Sequence, residues 1–150
     1  MGFVAKLLLG SGTLKAELRA ALESEGLVLI EEGLTGSIRY TRFRAPGRYH
    51  DGRITGVRLG LGISEERVAL YCRSGRSKLV DTPFGSARVR MLDVSLEDEG
   101  RVAFRVDYDL GDVPDVSGEI TIVARSPNAA RIVDELRARL KRAAARRPQA

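Results

Sequence analysis

The sequence contains very little of what most metal and redox sites are built from. Among its 150 residues there are one cysteine, one histidine and no tryptophan. The single cysteine, Cys72, excludes a disulfide within the chain, and the single histidine, His50, excludes a metal site built on a histidine pair. Cys72 also ends a run of β-forming residues, where a buried and unreactive thiol is the usual outcome, so a Cys–His catalytic dyad is not expected. We expect neither a metal nor a cofactor.

Long hydrophobic runs are also missing. The longest apolar stretch near the N-terminus, residues 3–9, is interrupted by Lys6 and is too short to span a bilayer. It lacks the small-residue cleavage site that follows the apolar region of a signal peptide. Together with the absence of a disulfide framework, these features predict a cytoplasmic protein.

Charge is plentiful but unevenly distributed. Residues 36–58 carry six arginines against one aspartate, residues 92–119 carry nine acidic residues against two arginines, and residues 125–147 carry eight basic residues against two acidic ones. Such segregation can produce a polarised surface that selects anionic partners. The simpler alternative is that these segments are solvated faces and loops.

Apolar residues make up 43% of the chain, which is typical of a globular protein, and the length suits a single domain. The pattern predicts a first helix over residues 13–25, with Thr13 as its N-cap and Gly26 after its end. Residues 27–124 are predicted to form the sheet, with Gly33 ending the first strand. The predicted strands are residues 27–31, 37–44, 54–63, 68–72, 78–82, 88–94, 101–107 and 119–124, and residues 45–52 are predicted to be a loop.

Two features indicate how the sheet closes. Glycines at positions 56, 60 and 62 share one face of a predicted strand, which indicates curvature, a bulge or the close approach of another backbone. The last predicted helix, residues 126–144, begins at Ser126-Pro127 and has an apolar stripe that needs a partner surface. The stripe consists of Ala129, Ile132, Val133, Leu136 and Leu140. We therefore expect a small β-barrel or bent sandwich of about seven or more strands, capped by this helix and followed by a basic tail at residues 145–150.

Residues 60–71 (Gly-Leu-Gly-Ile-Ser-Glu-Glu-Arg-Val-Ala-Leu-Tyr) resemble the strand, turn and strand that open bacterial pleckstrin-homology-like and GRAM-like domains. In those families a short paired strand follows, similar to residues 78–83, and a closing helix ends the domain, similar to residues 126–140. The resemblance covers residues 54–140, and the helix at residues 13–25 departs from it. It implies a pleckstrin-homology-like barrel that binds phosphoinositides, peptides or other proteins and is seldom an enzyme.

The lipid-binding branch of those families carries basic residues on its first two strands and their loop. Arg39, Arg42 and Arg44 are the nearest match, although the leading lysine of that pattern has no equivalent here. The residues themselves point to the same region, because several converging guanidinium groups can bind a phosphate or carboxylate. The candidate anion-binding residues are Arg39, Arg42, Arg44, Arg48, His50 and Arg53. Strand alternation predicts that Arg42 and Arg44 share one face and that Arg39 lies on the other.

Two other ligand types are not expected. Tyr40, Phe43 and Tyr49 lie among these arginines, as in single-stranded nucleic-acid binders, but no RNP-like or helix-turn-helix pattern accompanies them. Tyr40 and Phe43 are expected to pack in the core or on the sheet. An acidic loop has spacing that does not match a calcium-binding EF-hand, and we expect a solvated turn there. Its residues are Asp107, Asp109, Asp112 and Asp115.

The leading hypothesis is a noncatalytic binding module that contacts a protein partner or an anionic membrane surface. The basic loop and the basic end of the last helix are its expected contacts. One alternative is a small barrel enzyme that binds a cofactor, such as a split-barrel flavin protein. Another is a structural subunit that pairs with copies of itself through exposed strand edges.

Overall fold

The structure is a computed structural model that describes residues 11–111 and 113–146. The fold is mainly β, with a short helix at its beginning and a long one at its end. The elements, in chain order, are helix α1 (Ala16–Ser24), strands β1 (Leu27–Ala45), β2 (Arg48–His50), β3 (Ile54–Ser64), β4 (Arg67–Cys72) and β5 (Ser77–Pro83), a 3₁₀ helix (Ala87–Met91), β6 (Leu92–Asp98), β7 (Arg101–Asp107), a second 3₁₀ helix (Tyr108–Leu110), β8 (Ser117–Arg125) and helix α2 (Ala129–Arg146).

All the strands belong to one antiparallel sheet. Seven of them follow one another in the order β5-β4-β3-β1-β8-β7-β6, and β2 pairs with β1 beside that path. The sheet curls into a half-barrel around a core that both halves share. The predicted fold class is confirmed. Among the described residues, neither helix is long and apolar enough to cross a membrane.

Strand β1 replaces the two strands predicted at residues 27–31 and 37–44. Gly33, which was expected to end the first of them, lies instead where the register with β3 shifts, and its φ is +72°. A bulge bends a strand without ending the sheet. β1 therefore pairs with β3 from Leu27 to Arg39 and with β8 from Gly36 to Arg44, so that it belongs to both halves of the sheet.

Two other predicted boundaries are wrong. Residues 45–52, predicted to be a loop, contain β2, because the chain reverses at Pro46-Gly47 and pairs back onto the end of β1. Residues 88–91, predicted to be strand, lie in the first 3₁₀ helix. Ser86 accepts a hydrogen bond from the main-chain nitrogen of Arg88 at its start, and this local bond competes with strand formation.

Helix α2 supplies one wall of the core. The predicted apolar stripe is confirmed, because Ala129, Ile132, Val133 and Leu136 are buried in the same cluster as the inward-facing sheet residues, and Leu140 packs against it. Ser126 accepts a hydrogen bond from the main-chain nitrogen of Asn128 at 3.0 Å and donates one to Glu31 at 2.7 Å, which ties the start of the helix to β1. The helix proper spans Ala129–Arg146, and residues 147–150 of the predicted tail lie outside the described residues.

The N-terminal segment packs on the glycine face of β3. A Cβ atom at Gly62 would lie 2.3 Å from Cδ1 of the fully buried Leu22, and one at Gly60 would lie 2.8 Å from the main-chain oxygen of Gly12. The close approach predicted from the glycine spacing is therefore present. Helix α1 begins at Ala16 and not at Thr13, and its N-cap is Lys15, which makes no side-chain capping bond.

Candidate functional site

The candidate anion-binding residues lie where β1 ends, on the hairpin of β1 and β2 and the loop that follows. In this hairpin Phe43 pairs with His50, and Arg44 pairs with Tyr49. The loop is attached to β1 by main-chain hydrogen bonds, because Tyr40 donates to the oxygen of Arg53 at 2.9 Å and accepts from the nitrogen of Gly52 at 2.8 Å. The backbone that carries these residues is thus held in place by the sheet.

A bulge in β1 changes the direction of the hairpin side chains. The register with β8 shifts between Thr41 and Arg44, and Arg42 has a φ of +46°. Because Arg42 does not continue the alternation, Phe43 is the next residue to enter the core, and it is only 7% exposed. The prediction that Arg42 and Arg44 share a face opposite to Arg39 is therefore wrong. Arg39 and Arg44 lie together on the outer face.

Gly118 in β8 makes this bulge possible. It lies opposite Arg42 and Phe43, its φ is +83°, and a Cβ atom there would lie 2.0 Å from the main-chain oxygen of Arg42. A glycine has no Cβ and adopts positive φ without steric cost. The placement of the hairpin arginines therefore depends on a residue in a different strand.

The outer face of the hairpin combines arginines with exposed apolar side chains. The guanidinium carbon of Arg44 lies 5.3 Å from the centre of the Tyr49 ring, a cation–π contact, and Tyr49 is 56% exposed. Ile54 pairs with Arg39 across β1 and β3 and is 59% exposed. We call Arg39, Arg44, Tyr49 and Ile54 the hairpin face.

The arginines of this region are not held in ion pairs by acidic side chains of the described residues. In the part of the chain that the structure describes, no salt bridge involves a hairpin or loop arginine. Those arginines are Arg39, Arg42, Arg44, Arg48 and Arg53. The carboxylate of Asp51 lies in the same loop and accepts a hydrogen bond from the main-chain nitrogen of Arg42 at 3.1 Å.

Arg48 and His50 belong to the other side of the hairpin, where they contact an aromatic cluster. The ring of His50 lies 5.0 Å from that of Tyr40, and the guanidinium carbon of Arg48 lies 5.7 Å from the centre of the Phe43 ring. Tyr40 and Phe43 pack against the core, as predicted. Partial removal from water lowers the pKa of His50, and the charges of Arg53 and Arg48 lower it further. The six candidate residues are thus divided between two faces and a loop.

Of the other residues considered in the sequence analysis, Cys72 and two aspartates of the acidic loop have roles in the fold itself. Cys72 is buried, and desolvation is the main cause that raises the pKa of its thiol, which disfavours a reactive thiolate. Asp107 accepts a hydrogen bond from the main chain of Asp109, and Asp109 accepts one from the main chain of Gly118, each at 3.0 Å. Asp112 lies outside the described residues. Within the described ranges, no group of three or more metal-ligating side chains comes together.

A cleft that the sequence analysis did not identify lies beside the last turns of α2. Its volume is about 460 Å³, and it is bounded by the turn between β3 and β4, by the segment after β5 and by one face of the helix. We call it the α2 cleft and define it by Glu66, Phe84, Arg142 and Arg146, which are among its lining residues. The basic end of the last helix was expected to contact a partner. The spacing of its arginines is the sequence signal for the side of the cleft that the helix forms.

No known protein-family model matches the sequence, and no curated protein matches it significantly.

Proposed function

We propose that this chain is a noncatalytic binding module of pleckstrin-homology-like architecture, and that its hairpin face contacts an anionic membrane surface. The strand succession supports the architecture. β1, β3, β4 and β5 are neighbours in order, β6, β7 and β8 lead back to β1, and a helix follows. This is the succession of hairpins and closing helix that the resemblance implies. Helix α1 and strand β2 are additions to it.

The observation that carries the proposal is the combination, on one face, of exposed apolar side chains with arginines that make no salt bridge among the described residues. Each arginine near an anionic lipid surface contributes about 1 kcal/mol to binding. Tyrosine favours the interface between water and lipid, and Arg44 holds the Tyr49 ring in a cation–π contact. Since Arg39 and Arg44 lie on an exposed strand face, the arrangement suits an extended layer of negative charge better than a single enclosed phosphate.

Vesicle sedimentation tests this proposal. We expect the protein to bind vesicles of phosphatidylcholine and phosphatidylserine and to bind phosphatidylcholine vesicles much more weakly. The double variant Arg39→Gln with Arg44→Gln should lose about 2 kcal/mol of binding free energy, which corresponds to a roughly 30-fold weaker affinity for anionic vesicles. The double variant Arg88→Gln with Arg125→Gln removes the same charge from exposed positions away from the hairpin and is the matched control.

Two results would contradict the proposal. Equal binding to neutral and anionic vesicles would show that negative charge is not recognised. An equal loss in the control variant would show that net charge, and not the hairpin face, determines the affinity. A third variant, Ile54→Ser, separates lipid from other polyanions. It should weaken vesicle binding and leave heparin binding unchanged, because heparin offers no apolar interior, and an equal effect on both would favour a non-lipid partner.

A further inference from the structure

The α2 cleft has an apolar floor between two charged walls. Phe84 forms the floor and is only 6% exposed, and its main-chain nitrogen donates to the oxygen of Glu66 at 2.8 Å. This bond fixes the floor beneath the turn between β3 and β4. The cleft volume of about 460 Å³ lies within the range of small-molecule sites, which is about 300–1,000 Å³.

The helix side of the cleft is basic. Arg139, Arg142 and Arg146 are spaced by three and four residues, so they lie on one face of α2. Arg139 is 8% exposed, and its guanidinium group donates to Glu65 at 2.7 Å and to Glu135 at 2.6 Å. Its charge is therefore balanced, and it anchors the helix to the turn.

Arg142 and Arg146 differ from Arg139 in both exposure and partners. Both are exposed, and no salt bridge involves either of them among the residues that the structure describes. Arg142 makes a long hydrogen bond from Nε to the main-chain oxygen of Ala138, at 3.4 Å, within its own helix. Two arginines without a salt bridge among the described residues thus line the cleft together with Phe84.

The cleft also has an acidic lining residue on the turn between β3 and β4. Glu66 is exposed on the turn and repels an anionic group, whereas Arg142 and Arg146 attract one. The carbonyl ends of the last helical turn also carry partial negative charge, so an anion at this position depends on the two arginines. From this arrangement we infer that the α2 cleft binds a small amphiphilic anion, with its apolar body on Phe84 and its carboxylate or phosphate head on Arg142 and Arg146. This site does not depend on the hairpin face.

Fluorescence titration with anilinonaphthalene sulfonate, an aromatic ring system with an anionic group, provides the first test. The chain has no tryptophan, so little protein emission interferes. Decanoate and octyl phosphate should displace the dye, and the stronger competitor identifies the preferred head group. Decanol, which has the same kind of apolar body without the charge, should compete at least about tenfold less well, because charge-assisted hydrogen bonds are lost. Equal competition by decanol would overturn the inference.

Two variants locate the site. Arg142→Gln with Arg146→Gln should weaken decanoate binding about tenfold or more. Gly85→Leu should block the cleft, because Gly85 lines it and a Cβ atom there would meet nothing within 4 Å, so the fold can accept the side chain. Gly56→Leu is the matched control, since a Cβ atom at Gly56 also meets nothing within 4 Å and Gly56 lies in β3 outside the cleft. Unchanged decanoate affinity in both cleft variants, with folding intact, would place binding elsewhere and overturn the inference.

Discussion

The substitution Gly118→Ala tests whether one glycine in β8 sets the geometry of the hairpin. The new Cβ atom would lie 2.0 Å from the main-chain oxygen of Arg42. An ordinary contact between such atoms is about 3.4 Å or more. Because the obstructing atom belongs to the backbone, no side-chain rotation can relieve the overlap. The bulged segment of β1 must move away from β8 by more than an ångström.

The expected loss of stability has two parts. An alanine at a φ of +83° costs about 1–2 kcal/mol relative to glycine. Overpacking in a well-packed region costs a further 1–3 kcal/mol or so. The total, about 2–5 kcal/mol, is a large fraction of the 5–15 kcal/mol or so that stabilises a typical domain. The variant should also bind anionic vesicles more weakly at temperatures where it stays folded, because Arg39 and Arg44 no longer share one face.

Urea denaturation followed by circular dichroism measures the change in the free energy of unfolding. Gly56→Ala is the control, because a Cβ atom at Gly56 meets nothing within 4 Å and its φ is not positive. That control should leave stability unchanged or raise it by about 0.4–1 kcal/mol. If Gly118→Ala differs from Gly56→Ala by less than about 0.5 kcal/mol, the proposed dependence of the bulge on Gly118 is refuted.

Two further predictions concern the outer layer of the sheet. Gly62→Ala brings a Cβ atom to 2.3 Å from the buried Leu22, so it should lower the free energy of unfolding by about 1–3 kcal/mol. In a urea double-mutant cycle, Gly62→Ala combined with Leu22→Ala should cost less than the sum of the two single changes. Strict additivity would show that the two residues do not interact. The pKa of Tyr71 is raised to about 12, first by desolvation and then by its hydrogen bond to Asp81. Because the folded state favours the neutral phenol, the free energy of unfolding should decrease as the pH rises from about 10, the unfolded value, to about 12. Burial also raises the pKa of Tyr108, so ultraviolet titration of the folded protein should find two phenols that ionise late. Asp81→Asn should move the ionisation of Tyr71, and not that of Tyr108, to lower pH; an unchanged titration would contradict this assignment.

The features that the sequence predicted well are those set by local periodicity. Strand β8 and the apolar stripe of α2 follow directly from spacing, because burial on one face repeats every second or every third to fourth residue. The continuity of β1 could not be predicted in this way. Gly33 serves equally well to end a strand or to form a bulge. The choice depends on a tertiary contact, the hydrogen bond from the nitrogen of Gly33 to the oxygen of Gly12 at 3.0 Å.

In the candidate site, too, local spacing predicted some features, whereas others depend on tertiary contacts. The arginines between β1 and β3 were predicted as a group because they are close in sequence. The face of the sheet on which each arginine lies was not predicted correctly, because Gly118 is distant in sequence and carries no local signal for a bulge at Arg42. The α2 cleft was missed for a similar reason. The arginine spacing on α2 was visible in the sequence, but the floor at Phe84 and the wall at Glu66 come from segments that meet the helix only in the folded chain.

The two proposed surfaces are far enough apart to be occupied independently. Strand β3 connects them, because Ile54 at its start belongs to the hairpin face and Ser64 at its end leads into the turn that carries Glu66. Eleven residues of strand span roughly 30 Å. Charges are screened over about 8 Å at physiological ionic strength, so an anion in the α2 cleft hardly changes the potential at the hairpin. Vesicle sedimentation and dye displacement therefore report on separate sites. A substitution that weakens only one of them identifies the surface it belongs to, whereas parallel loss in both indicates damage to the β3 framework that joins them.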